Sequence, residues 1–231
     1  MAKPVETLYV GPALRSREKD GEGASMPRPI EYYFSCSSPW SYLGHAKFTA
    51  IAKKHALMIA YRLLPLPRLF PETGGLPLSK RHPVRQDYRL IELQRWRDKN
   101  GVDLKLRPKY WPFDPSLADR VVIALSALGR VEDFLPQALA AVFSSEQNLA
   151  DEEVVATLLA CASLDSKDII AVAKSDRVSA AYEANLGAAV ASGVFGAPSY
   201  VLNGEVFWGQ DRLPCLDEAL ASGRKPYAAN A

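Results

Sequence analysis

The residues best placed to do chemistry are Ser38 and the three that follow it, which read Ser38-Pro39-Trp40-Ser41. Serine is a favoured helix N-cap because its side-chain oxygen accepts a hydrogen bond from an unpaired backbone N–H. Proline suits the first helical position, where no N–H is needed. Free N–H groups and the positive end of the helix dipole favour a negatively charged ligand at such a terminus. The sequence therefore predicts an anion site at Ser38, although Ser38 alone is also compatible with an ordinary cap.

Two strands and a helix are predicted to hold this site in place. Residues 30–36 form an aromatic, β-prone run that follows Pro27 and Pro29, which is typical of a strand. A helix over 39–55 shows apolar residues at helical spacing, and Gly44 inside it indicates a close neighbour rather than a break. Residues 58–64 form a second strand, parallel to the first through a right-handed crossover.

The middle of the sequence favours helices. Residues 68–84 contain Thr73-Gly74-Gly75 and are predicted to be a loop. Helical spacing then dominates, with Asp151 and Asp165 as N-cap residues. The predicted helices cover 86–99, 117–128, Val131–Phe143, 151–161 and 167–190.

The last part of the sequence returns to β structure. Asn203-Gly204 between two short β-prone runs, 199–202 and 205–208, is a strong hairpin signal, because a type I′ turn needs positive φ at both central residues. A closing helix over 211–221 is predicted, with Asp211 as its N-cap and Gly223 as its stop.

Three motifs together resemble one known family. They are the Ser38 motif, Gly193-Val-Phe-Gly-Ala-Pro198 and Phe207-Trp-Gly-Gln-Asp-Arg-Leu213. Over residues 30–220 the chain resembles the 2-hydroxychromene-2-carboxylate isomerases, relatives of the kappa-class glutathione transferases in the thioredoxin superfamily. The resemblance implies an α/β, thioredoxin-like fold with an inserted all-helical domain. The corresponding division is an extension over 1–29, a thioredoxin-like domain over 30–85 and 187–223, a helical domain over 86–186 and a tail over 224–231.

The same resemblance implies a glutathione site. Ser38 would donate its hydroxyl to the glutathione thiolate, and Ala197, before a cis Pro198, would clamp the peptide backbone. The γ-glutamyl end would meet Gln210 and Asp211, and the glycyl carboxylate would meet Arg85. Gly75 stands where related sequences often carry an asparagine, so one side-chain contact is missing.

An aromatic segment, Lys109-Tyr-Trp-Pro-Phe-Asp-Pro115, lies between the predicted helices. Tyr110, Trp111 and Phe113 are our candidates for a wall against a flat substrate, because rings bring large apolar area with few rotamers. Core packing beneath a loop is the alternative. The carboxylate of an aromatic 2-oxo acid would need a cation, for which Arg85, Lys109 and Arg120 are candidates.

The resemblance implies a glutathione-dependent cis–trans isomerase of 2-hydroxychromene-2-carboxylate-like intermediates of aromatic degradation. Reversible thiolate addition would turn a double bond into a rotatable single bond. A kappa-like transferase or peroxidase and a non-enzymatic binding protein stay open as alternatives. A disulfide oxidoreductase is disfavoured because Cys-x-x-Cys is absent, and Cys36 is interpreted as a buried strand thiol. The family also implies a cytoplasmic homodimer.

Composition excludes several other classes. The chain has 231 residues, of which 48% are hydrophobic and 23% charged, as in soluble globular proteins. A net charge of +2 without a dense basic run argues against nucleic-acid binding. Three scattered cysteines argue against a disulfide framework or a zinc site. We therefore expect no metal, and with no segment of about 20 apolar residues, no membrane span.

Overall fold

A computed structural model of the chain describes residues 29–229. The extension predicted over 1–29 lies outside the described residues except for Pro29, and so do the last two residues of the predicted tail. Within the described part, the strands form one four-stranded sheet in the order β2-β1-β3-β4. The strands are β1 Ile30–Phe34, β2 Ile59–Leu63, β3 Ser199–Leu202 and β4 Glu205–Trp208.

The sheet is mixed, and its pairing follows from the connections. β1 and β2 are parallel, whereas β3 is antiparallel to both β1 and β4. A helix joins β1 to β2, as a parallel pair requires, and a two-residue turn joins β3 to β4. Asn203 and Gly204 in that turn have φ values of 52° and 89°, so the predicted hairpin is confirmed.

The other regular elements of the described chain are helices, and most of them lie between β2 and β3. This order confirms the predicted α/β, thioredoxin-like fold with helices inserted into it; the exact domain boundaries stay a prediction. The helices are α1 Pro39–Lys54, α2 Leu66–Glu72, α3 Pro83–Asn100, α4 Ser116–Ser126, α5 Val131–Phe143, α6 Glu152–Cys161, α7 Ser166–Ala173, α8 Asp176–Ala191 and α9 Leu213–Ser222, with 3-10 turns at Leu78–Lys80 and Gln210–Arg212.

Hydrophobic side chains cover both faces of β1. Tyr32 packs in the larger core, where its ring stacks on that of Tyr200 at 5.2 Å and lies tilted against that of Phe48 in α1 at 4.6 Å. Tyr33 points to the opposite face and joins a smaller core with Ala189 of α8. Successive side chains of a strand alternate between faces, so a strand buried on both sides reads as a continuous apolar run.

Two predictions about the helices between β2 and β3 are wrong. Part of the loop predicted over 68–84 belongs to α2, which buries Leu69 in the smaller core and carries Pro67 in its first turn, where proline is tolerated. The single helix predicted over 167–190 is two helices, α7 and α8. Ser175 separates them and caps α8, because its Oγ accepts the Val178 N–H at 3.4 Å.

A third prediction, that Asp211 caps the last helix, is also wrong. Asp211 lies in the 3-10 turn before α9, whose N-cap is Arg212 without a capping side-chain bond. The other capping predictions are confirmed. The side chains of Asp151 and Asp165 accept backbone N–H groups of α6 and α7, and Gly223 ends α9 in the left-handed conformation.

Candidate active site at the end of the central strands

The register of the sheet brings three separate segments to one edge. Tyr33, the second-last residue of β1, pairs with Ser199, the first residue of β3. Ala197-Pro198 therefore lies beside the turn that leaves β1. The Gly209 N–H donates to the Pro198 carbonyl at 2.8 Å, which holds the start of the Gln210 turn at the same edge. The Ser38 turn, the Ala197-Pro198 segment and the Gln210 turn thus share one end of the sheet.

Ser38 caps α1 as the sequence predicts. Its Oγ accepts the Ser41 N–H at 3.2 Å, Pro39 occupies the first turn, and only 4% of Ser38 is exposed. Accepting this hydrogen bond uses a lone pair and leaves the hydroxyl proton available for donation. Capping and donation to an anion are therefore compatible roles for one hydroxyl.

The residues predicted to hold glutathione lie around this edge. The Ala197-Pro198 peptide bond is cis, as predicted. Gln210 is buried against α1: a Cβ placed on Gly44 would lie only 2.6 Å from the Gln210 Cβ, which confirms the close neighbour inferred for Gly44. Asp211 is 40% exposed and its carboxylate pairs with Arg212 Nη1 at 2.9 Å.

The other two positions of the predicted glutathione site lie on the β2–α3 connection and on α3. Arg85 is exposed in the first turn of α3. Gly75 lies after α2, where an added Cβ would lie 3.0 Å from Phe70 Cδ1. The assignment of all these residues to glutathione stays a prediction.

A buried carboxylate supports the turn between β1 and Ser38. Asp119 of α4 accepts the Cys36 N–H through Oδ1 at 2.8 Å, and its Oδ2 accepts the hydroxyls of Ser35 at 3.0 Å and Tyr182 at 2.9 Å. Burial raises the pKa of Asp119 to about 7, although these hydrogen bonds act in the opposite direction. Asp119 thus connects the inserted helices to the backbone that presents Ser38.

Cys36 is a buried thiol, as the sequence indicates. Its side chain is inaccessible, and burial, followed by the nearby Asp119 charge, raises the pKa of the thiol well above its ordinary value. A reactive cysteine needs the opposite shift, because the thiolate is the nucleophile. Cys36 is therefore unsuited to thiol chemistry.

Of the three predicted aromatic residues, Trp111 lies nearest the Ser38 turn. Its Nε1 donates to the Ser37 carbonyl at 2.8 Å, and the Arg89 guanidinium carbon of α3 lies 4.9 Å from its ring centroid. Tyr110 is 42% exposed, with Lys109 Nζ 5.0 Å from its ring centroid. The structure therefore attaches Trp111 to the site but does not draw Tyr110 into the same contact.

Phe113 lines a separate groove of about 510 Å³ between α2, the start of α4 and α8. Arg120 also lines it, and its guanidinium donates to the Ser116 carbonyl at 3.0 Å and to Ser179 Oγ at 3.3 Å. Tyr182, which donates to Asp119, forms part of the same wall. The groove thus neighbours the Ser38 turn through Tyr182 and Asp119.

Three residues of the site are not predicted from the sequence: Asp119, Tyr182 and Arg89. Their partners lie far away in sequence, so no local spacing indicates the contacts. The one available signal was Asp119 itself, an acidic residue beside the apolar run Val121-Val-Ile-Ala-Leu125. A carboxylate among buried positions needs hydrogen-bond partners, so an acidic residue in such a run indicates a polar contact inside the core.

Within residues 29–229, no helix is both long and apolar enough to cross a membrane. In the same range no group of three or more His, Cys, Asp or Glu side chains is placed to hold a metal ion.

Two curated proteins similar to this chain carry the same name. This chain is 27% identical over 198 residues to a 2-hydroxychromene-2-carboxylate isomerase of Sphingobium xenophagum, and the match covers 84% of this chain and 99% of the relative. It is 26% identical over 195 residues to the protein of that name from Pseudomonas putida, covering 83% of this chain and 93% of the relative.

Solved structures agree on the fold. A structure of 2-hydroxychromene-2-carboxylate isomerase superposes with a TM-score of 0.68 at 23% identity, over 84% of this chain and 95% of its own. The cytosolic disulfide reductase DsbM from Pseudomonas aeruginosa, in a structure with GSH, gives a TM-score of 0.62 at 15% identity, over 84% and 96% of the two chains.

The model of the DSBA-like thioredoxin domain family matches residues 29–221. That range contains the whole sheet and the helices from α1 to α8. The resemblance to the 2-hydroxychromene-2-carboxylate isomerases is confirmed by the named relatives, and the chain belongs to the DSBA-like thioredoxin domain family.

Proposed function

We propose that this protein is a glutathione-dependent cis–trans isomerase of 2-hydroxychromene-2-carboxylate-like intermediates of aromatic degradation. The observation that carries the proposal is the hydrogen bonding of Ser38. Its Oγ accepts the Ser41 N–H and so caps α1, while its hydroxyl proton stays available for donation to an anion. The proposal is supported by the isomerase name of the curated relatives, which this chain matches over nearly their whole length. We further propose that it acts as a cytoplasmic homodimer.

The chain's residues fit glutathione, a tripeptide with two carboxylates and one ammonium group. Arg85 is an exposed cation that forms no ion pair within residues 29–229, and it would meet the glycyl carboxylate. Asp211 keeps 40% of its side chain exposed and would meet the α-ammonium, with Gln210 beside it. The Ala197 backbone, at the edge beside Ser38, would pair with the peptide. Gly75 would offer no side-chain contact.

When bound, glutathione would supply a thiolate for reversible addition to a conjugated double bond, which allows rotation before elimination. A thiol of ordinary pKa, about 8.5, needs roughly 2.7 kcal/mol to lower that pKa by two units. A helix N-terminus contributes about 0.3–1 kcal/mol, and up to about 2 when partly buried. One hydrogen bond to a charged group contributes about 1.5–3 kcal/mol. The α1 terminus alone does not reach this value, whereas the terminus and the Ser38 hydroxyl together give a range that includes it.

Ser38 acts in this proposal as a hydrogen-bond donor and not as a nucleophile. A serine nucleophile needs an adjacent base, and within residues 29–229 the only hydrogen bond of Ser38 Oγ is with the Ser41 N–H. Asp119 accepts the Cys36 N–H and Trp111 donates to the Ser37 carbonyl, so both support the backbone that leads to Ser38. Both supports come from the inserted helical segment.

The test is an isomerisation assay with far less glutathione than substrate. Purified protein and 2-hydroxychromene-2-carboxylate are followed by absorbance to equilibrium, and free thiol is titrated before and after. We expect the absorbance to approach equilibrium. The loss of free thiol should not exceed that in a control that contains glutathione alone. Stoichiometric loss of thiol would make the protein a transferase. No turnover with or without glutathione would leave a non-enzymatic binding protein.

A further inference from the structure

Arg89 is a half-buried cation without an acidic partner. It lies on α3 with its guanidinium carbon 4.9 Å from the ring centroid of Trp111, and it forms no ion pair in the part of the chain that the structure describes. Burial, followed by the charge of Arg81, lowers the pKa of Arg89 to about 10. A desolvated cation beside a second cation is costly unless an anion joins them.

Three arginines repeat at four-residue intervals here: Arg81, just before α3, then Arg85 and Arg89 within it. Arg85 and Arg89 lie four residues apart on α3 and so share one helix face, where like charges are destabilising. Arg81 precedes the helix in an extended conformation, and its charge also acts on Arg89. Arg81 is held by its own hydrogen bond, Nε to the Leu76 carbonyl at 2.8 Å. These three arginines are therefore suited to receive negative charge, and Arg89 is the one whose guanidinium lies over the Trp111 ring.

Trp111 links Arg89 to the reaction centre. Its indole N–H donates to the Ser37 carbonyl at 2.8 Å, one residue before Ser38. The ring therefore has a fixed edge on the Ser38 turn and offers its face to Arg89. A guanidinium over an aromatic ring keeps N–H groups that can match a carboxylate in a two-point contact.

We propose that Arg89, whose guanidinium lies over the Trp111 ring, binds the carboxylate of the substrate and makes the site specific for aromatic 2-oxo acids. The proposal rests on the proposed function for the substrate class. The other cations near the aromatic segment are less suited to this role. Lys109 sits over the exposed ring of Tyr110, and Arg120 is engaged by the Ser116 carbonyl and Ser179 Oγ.

The test compares two ligands that differ only in the carboxylate. They are trans-2-hydroxybenzylidenepyruvate and the neutral methyl ketone 2-hydroxybenzylideneacetone, titrated calorimetrically without glutathione. We expect the wild-type protein to bind the acid about ten- to a hundredfold more tightly, the range of one hydrogen-bonded charge pair. Arg89→Gln should remove most of this preference. Arg89→Lys should keep part of it, because the charge stays while the two-point geometry is lost.

The matched control is Arg95→Gln on the same helix, because Arg95 is exposed and pairs with Glu92. Its acid preference should equal that of the wild type. The proposal is overturned if the wild type shows no acid preference, if Arg89→Gln keeps the full preference, or if Arg95→Gln loses as much. Turnover with catalytic glutathione separates the two proposals. If the protein turns over substrate but Arg89→Gln keeps the full preference for the acid, only the role of Arg89 is refuted. If the preference for the acid depends on Arg89 but no turnover occurs, only the isomerase proposal is refuted.

Discussion

Replacing Asp119 by asparagine should remove a specific pH dependence of stability. The pKa of this carboxyl is about 7 in the folded protein, against an ordinary value of 3.8. Between these two values the folded state binds more protons than the unfolded state, so stability falls as pH rises. The Asp119 contribution is fully present below the unfolded pKa and is lost as pH rises through about 7.

The size of the Asp119 effect follows from the two pKa values. From pH 5 to pH 8, linkage gives a loss of roughly 2–3 kcal/mol in the free energy of unfolding. Burial raises the pKa of both titratable neighbours, Cys36 and Tyr182, so neither loses its proton in this range. Asp119→Asn carries no charge and keeps an amide oxygen for the Cys36 N–H, and its NH₂ can donate to the hydroxyls of Ser35 and Tyr182.

The assay is urea unfolding of the wild type and Asp119→Asn at pH 5, 6, 7 and 8. The difference in unfolding free energy should shift in favour of Asp119→Asn by roughly 2–3 kcal/mol across the range. Asp151→Asn serves as a matched control, because asparagine caps a helix about as well as aspartate. Identical pH slopes for wild type and Asp119→Asn would refute the argument that burial governs this carboxyl.

Three further substitutions test the site. Ser38→Ala should raise the thiol pKa of bound glutathione by about one to two units, measured by thiolate absorbance, and an unchanged titration would reduce Ser38 to a helix cap. Gly75→Asn should tighten glutathione binding by up to about tenfold if the Phe70 ring shifts, and equal calorimetric affinities would contradict the missing-contact interpretation. Gly44→Ala forces a Cβ against Gln210 at 2.6 Å and should cost about 1–3 kcal/mol in urea unfolding. An unaltered midpoint would argue against this close packing.

Much of the fold could be predicted because its signals are local. The cap at Ser38, the caps at Asp151 and Asp165, and the turn at Asn203-Gly204 each depend on residues within four positions, and all were confirmed. The predictions that failed are those in which packing outweighs local preference. α2 forms in spite of its prolines because Leu69 is buried, and Asp211 enters a 3-10 turn rather than capping α9.

The sequence by itself determined the family, the strand–turn–helix that presents Ser38 and the positions predicted to hold glutathione. Only the tertiary structure decided what supports and surrounds that turn. Asp119 meets Cys36 across 83 residues, and Trp111 meets Ser37 across 74. Such contacts exist because the inserted helices pack onto the carboxyl end of β1, and their energy comes from burial and hydrogen bonds between distant segments. The spacing of residues along the sequence predicts neither this burial nor these hydrogen bonds.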